Sequence, residues 1–105
     1  MLKSHYAPKI PFFIANQNES IEKMIAKQGT KKVGVLSFDK QYSQIPAENQ
    51  RMLSSKGDFS EAAHHLFAYL RELDSMDLDI ILSELLPEKN LGRAINDRIR
   101  RAASK

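Results

Sequence analysis

The stretch Lys32-Val33-Gly34-Val35-Leu36-Ser37-Phe38 decides the fold. Its apolar residues fall at odd and even positions alike, so neither side of a strand built from it suits water. A strand buried on both faces belongs inside a parallel sheet with helices on each side. Upstream, Phe12-Phe13-Ile14-Ala15 is a short apolar run between Pro11 and Asn16 and reads as a second buried strand. Between the two, Ser20 can cap a helix carrying Ile21, Met24 and Ile25 at helical spacing, and Gly29 is a natural stop.

Downstream, Asp39 to Gln50 is polar and contains Pro46, so it reads as a loop. That is long for a compact domain, which marks it for contacts or mobility. Arg51-Met52-Leu53-Ser54 reads as a weak strand near an edge. Asp58 and Glu61 have the spacing of a capping box. The helix they open runs to about Asp74, with Ala62, Ala63, Leu66, Phe67, Leu70 and Leu73 on one face. Leu78 to Ser83 is another strand, Leu85 to Asn90 a loop, and Leu91 to about Ala103 the last helix. Strands separated by helical crossovers predict a small Rossmann-like three-layer α/β sandwich, a mostly parallel sheet flanked by helices. Periodicity leaves the strand order open.

A chain of 105 residues has room for one core. Its 42% hydrophobic and 28% charged residues are ordinary for a globular domain. No run approaches a membrane span and no signal-peptide pattern opens the chain. Cysteine is absent, which excludes disulfides and thiolate chemistry and suits a cytoplasmic protein. A net charge of +3 is weak support for a nucleic-acid partner, because a solvated surface accounts for it more often.

Few residues point to chemistry. There is no Gly-x-Gly-x-x-Gly and no Walker loop. Gly34 inside a strand suggests close packing. Leu91-Gly92 opens a helix whose amides are able to hold an anion, but one glycine fits a helix start packed near the sheet better. His64 and His65 are adjacent, hence about 100° apart on a helix, and cannot share a metal ion as an i, i+4 pair can. Both are expected on the polar face as solvated residues. No catalytic residue and no metal site is assigned.

In the last helix, Leu91, Ala94, Ile95, Ile99 and Ala102 form the apolar stripe, and helical projection places Arg98 inside it. An arginine there needs a carboxylate or carbonyl partner or must snorkel to the rim, and a salt bridge to Glu84 or Glu72 is expected ahead of a ligand role. Arg93 and Arg100 project to the opposite face. With Arg101 and Lys105 they are able to touch phosphates, or simply complement the helix dipole.

The opening segment, Met1-Leu2-Lys3-Ser4-His5-Tyr6-Ala7-Pro8, followed closely by Pro11, reads as an extended strap. Tyr6 offers a stacking ring and a hydroxyl, and His5 a titratable ring. The strap either packs on its own sheet or crosses a neighbouring pocket.

Two separated motifs bring in a resemblance. The Met-x-x-x-His-Tyr-Ala-Pro spacing of Met1 to Pro8 resembles the interdomain linker of the long, two-domain form of threonylcarbamoyl-AMP synthase. Leu91, Gly92, Ala94, Ile95, Asp97, Arg98, Ile99, Arg101, Ala102 and Ala103 resemble the motif that closes the family's C-terminal domain. Between them, Leu70-Arg71-Glu72-Leu73-Asp74 is similar to the family's helix. The resemblance implies residues 1–11 as linker segment and 12–105 as the C-terminal Rossmann-like domain. The family's catalytic YrdC-like domain would then be absent and this chain a fragment with no activity alone.

The resemblance further implies a parent that is an L-threonylcarbamoyladenylate synthase. It makes threonylcarbamoyl-AMP from ATP, threonine and bicarbonate for the threonylcarbamoyladenosine modification of tRNA. ATP, with Mg, belongs to the catalytic domain, and no cofactor is expected in this segment. The domain would anchor a lid and regulate, with the YrdC-like domain of the same chain as partner. His5 and Tyr6 are the cofactor-binding residues so implied, facing the bound nucleotide. Two rival readings remain: a stand-alone nucleotide- or metal-binding module, and a tRNA or protein interaction domain.

Overall fold

The computed structural model describes residues 8–15 and 19–104. Strand β1, Phe12–Ile14, leads to helix α1, Ile21–Ala26. Strand β2, Val33–Ser37, is followed by a single 3-10 turn, Ala47–Asn49, and by strand β3, Gln50–Met52. Helix α2, Phe59–Asp74, strand β4, Ile80–Ser83, and helix α3, Leu91–Ala103, complete the chain. The four strands form one sheet in the order β1-β4-β2-β3, and all three pairings are parallel.

The two central strands, β2 and β4, are buried along their whole length, as two-sided apolar runs require. Side-chain alternation divides the core in two. Leu36 and Ile81 face one side and pack with Leu66, Leu70 and Leu73 of α2 and Ile95 and Ile99 of α3. Val33, Val35, Ile80 and Leu82 face the other, where Ile21 of α1 and Tyr42 and Ile45 of the long loop cover them. This is the three-layer sandwich read from the sequence, with one outer layer made of two long helices and the other of a short helix and a loop.

Local expectations hold at several points. Ser20 caps α1, its hydroxyl accepting from the Lys23 amide at 3.3 Å. Gly29 takes φ 66°, a left-handed conformation that suits a residue without Cβ. A Cβ on Gly34 would sit 2.6 Å from Leu78 Cδ1, so close packing accounts for that glycine. Asp58 caps α2, accepting from the Ser60 amide at 3.3 Å.

Other expectations are corrected. Glu61 does not close the capping box directly. The Ser54 hydroxyl donates to Glu61 and accepts from the Asp58 amide, so a third residue relays the contact. The run from Phe12 is only half buried: β1 is an edge strand, and Phe13 is 51% exposed. On α2, Ala63 and Phe67 lie at the exposed margin of the apolar face. The loop after β2 is pinned at Tyr42 and Ile45, both buried.

Candidate functional site

The chain enters the fold through an anchored segment. Pro8 is buried. The Lys9 amide donates to both carboxylate oxygens of Asp74, at 2.9 and 3.1 Å, and the Ile10 amide donates to one at 2.9 Å. The Pro11 carbonyl then accepts from the Ile81 amide at 2.8 Å and starts the β1–β4 ladder. A carboxylate in the last turn of a helix opposes the helix dipole. Asp74 ends α2 nonetheless, buried, and clamps an incoming strand. His5 and Tyr6 lie outside the described residues.

A second feature is an open cleft of about 750 Å³ at the carboxyl ends of β1, β4 and β2. Parallel α/β sheets place their ligand crevices at this end. Ile14, Ala15, Ile21, Leu85 and Leu86 supply apolar surface. Glu22, Lys40, Tyr42, Glu84, Glu88 and Arg100 bring the polar groups.

Two buried carboxamides set the walls of this cleft. Gln50 accepts from the Tyr42 amide and donates to the Tyr42 and Ile45 carbonyls, each at 2.9 Å, and so holds the loop after β2. Asn96 accepts from the Leu86 amide and donates to the Leu86 carbonyl, both at 2.8 Å, and so holds the loop after β4. It also donates to Glu88 at 2.8 Å. Sequence reasoning passed over both residues. The available signal for Asn96 was a carboxamide directly beside the buried apolar Ile95, whereas Gln50 lies between the polar Asn49 and Arg51 and offered none.

The charges in the cleft are unequal. Arg100 is engaged with Glu88 at 2.8 Å. Glu88 is held below the usual glutamate range, first by the Asn96 hydrogen bond and then by Arg100. Glu84 is half-buried and accepts from the Phe38 amide at 3.0 Å. Burial pushes its carboxyl upward, and the neighbouring Asp39 and Glu22 add to this against the Phe38 amide and Lys40. Tyr42 is pushed up to about 12, by burial first and then by Glu84, Glu22 and Asp39.

The remaining sequence candidates are dispersed. Arg98 is exposed, with its guanidinium 5.0 Å from the Phe67 ring centroid. The expected carboxylates are engaged elsewhere: Glu72 pairs with Arg51 at 2.7 Å and Glu84 caps Phe38. The stripe of α3 is therefore Ile95, Ile99 and Ala102 with Gly92 and Asn96, while Leu91 and Ala94 are exposed. Arg100, projected to the far face, reaches Glu88 instead.

The two histidines differ. His64 is exposed, whereas His65 is half-buried, donates from Nδ1 to the Leu53 carbonyl at 3.1 Å and stacks on Tyr69. Among the described residues no group of three or more His, Cys, Asp or Glu is placed to hold a metal ion. The start of α3 is closed to an anion by its own carbonyls. The Gly92 amide donates to Lys89, and a Cβ at Gly92 would overlap the Pro87 carbonyl oxygen. The contact that needs a small residue is this loop and not the sheet. No helix among the described residues is long and apolar enough to cross a membrane.

Comparison with known proteins fits this architecture. The family model for the threonylcarbamoyl-AMP synthase C-terminal domain matches residues 1–104. The chain is similar to the threonylcarbamoyl-AMP synthase of Bacillus subtilis, 30% identical over 98% of this chain and 31% of that protein. It also resembles the crystal structure of Pyrococcus abyssi Sua5 complexed with L-threonine. There the TM-score is 0.76 and the identity 34%, over 94% of this chain and 29% of that one. A structure of the same protein with an adjacent histidine and tyrosine both changed to alanine matches with a TM-score of 0.71 and 32% identity, over 91% and 28%. The chain thus spans less than a third of the length of its relatives. It belongs to the family of threonylcarbamoyl-AMP synthase C-terminal domains.

Proposed function

We propose that this chain is the lid-anchoring and regulatory domain of a cytoplasmic L-threonylcarbamoyladenylate synthase. Its partner is a YrdC-like catalytic domain in the same polypeptide, which makes threonylcarbamoyl-AMP from ATP, threonine and bicarbonate for tRNA modification. The observation that carries the reading is the Asp74 clamp. The backbone is fixed to this domain at Lys9 and Ile10, three residues beyond Tyr6. A strap held at one end and bearing His5 and Tyr6 is suited to close over a neighbouring cleft.

In this reading ATP with Mg occupies the catalytic domain, where the nucleotide supplies the adenylate. At the start of α3 the Gly92 amide is engaged by the Lys89 carbonyl, and the Pro87 carbonyl oxygen packs against Gly92. The contribution of this chain is His5 and Tyr6, which cover the nucleotide and exclude water from a hydrolysable intermediate. This chain has one His-Tyr pair, and the Pyrococcus abyssi variant with an adjacent histidine and tyrosine replaced accords with a role for it.

The test is Tyr6→Ala in the two-domain enzyme, scored by pyrophosphate release and by the KM for ATP. A raised KM with unchanged unfolding of this domain is expected. Steady-state kinetics identical to the parent would remove the lid role.

A further inference from the structure

The cleft at the carboxyl ends of β1, β4 and β2 has no part in the lid reading, and its features stand independently of it. At about 750 Å³ it has the size of a small-molecule site. The two walls made by the loops after β2 and β4 are fixed by Gln50 and Asn96 before any ligand arrives. Such preorganisation reduces the entropy lost on binding.

Charge selects the ligand class. Arg100 is already paired with Glu88, which leaves the Glu22 and Glu84 carboxylates facing Lys40. An anion would meet two carboxylates for one ammonium. A metal ion is disfavoured for a different reason: the described residues hold no cluster of three ligating side chains. An organic cation needs fewer partners, and its carbon body matches the surface given by Ile14, Ile21 and Leu85. Glu84 gains most from such a guest, because its carboxylate is half-buried and, among the described residues, has only neutral hydrogen-bond donors, the Phe38 amide and the Tyr42 hydroxyl, in contact with it.

We infer that this cleft binds a small primary amine with an apolar body, its ammonium group against Glu84 and Glu22 and its carbon chain over Ile14, Ile21 and Leu85.

The test uses butylamine and benzylamine as probes, with 1-butanol, butyrate and Mg²⁺ as controls, followed by amide chemical shifts of the chain. Saturable shifts at Phe38, Tyr42 and Leu85 with the amines are expected, and none with the controls at equal concentration. Glu84→Gln keeps an acceptor for the Phe38 amide and is expected to weaken amine binding roughly tenfold or more. Glu22→Gln, on an exposed residue that leaves folding intact, weakens it in the same direction. Absence of saturable shifts with both amines overturns the inference. So does butanol binding as tightly as butylamine, tighter binding of butyrate or Mg²⁺, or unchanged amine affinity in the folded variants.

Discussion

Asn96 holds Leu86 at both ends of its peptide unit, accepting from its amide and donating to its carbonyl at 2.8 Å each. Asn96 is fully buried, so no water replaces these bonds. Asn96→Leu would leave two backbone groups without partners in the core. A loss of about 2–4 kcal/mol is expected. Urea unfolding should show a lower midpoint with an unchanged slope.

Gly92 and Gly34 make a matched comparison. Alanine is the better helix former by about 1 kcal/mol, which alone would favour Gly92→Ala. The added Cβ, however, meets the Pro87 carbonyl oxygen, a backbone atom that cannot rotate away. At Gly34 the nearest atom is the tip of Leu78, at 2.6 Å, which is able to turn. Gly92→Ala should therefore destabilise by about 1–3 kcal/mol net of propensity, and Gly34→Ala by less. Thermal unfolding of the two variants gives the order.

Asp74→Ala releases the Lys9 and Ile10 amides. Hydrogen bonds to a buried carboxylate are strong, so a loss of about 2–3 kcal/mol is expected. Amide exchange should accelerate first at Lys9 and Ile10, with protection in β2 falling only by the global loss. Equal acceleration throughout would show that Asp74 does not act on the entering strand.

Glu84 and Glu88 give opposite pH limbs. Glu84 titrates above its ordinary 4.5 because burial, Asp39 and Glu22 outweigh the Phe38 amide and Lys40. The folded state then binds more protons than the unfolded state, and stability falls as pH rises from 4.5 through the raised value. Glu88 titrates below 4.5, held there by Asn96 and Arg100. Its contribution is present above 4.5 and is lost as pH falls through the lowered value. Glu84→Gln should flatten the first limb and Glu88→Gln the second, read from urea midpoints between about pH 2 and about pH 7.

The elements legible in the sequence were those with a strong apolar signature. Lys32 to Phe38 announced a central strand because its apolar residues occupy both faces, and Leu78 to Ser83 read as a strand, which the sheet places beside it. The last helix kept its expected bounds, Leu91–Ala103. Arg98 was misplaced because Leu91 and Ala94 were counted as core, although the packing against α2 and the sheet runs through Ile95 and Ile99. Gln50 and Asn96 were missed for a related reason. Apolar periodicity is blind to a polar side chain that is buried by bonding backbone. The cleft escaped as well, because it joins residues from β1, α1, two loops and α3 that only the strand order brings together.

The pairing of β1 has a consequence for the order in which the molecule is built. Its ladder partner, Ile81 to Ser83, and its clamp, Asp74, both come from the last third of the chain, the clamp bonding Lys9 across a separation of 65 residues. During synthesis β1 therefore has no dock within this domain until β4 has left the ribosome. The segment from Pro8 to Ile14 gains its fixed place only once this domain is nearly finished.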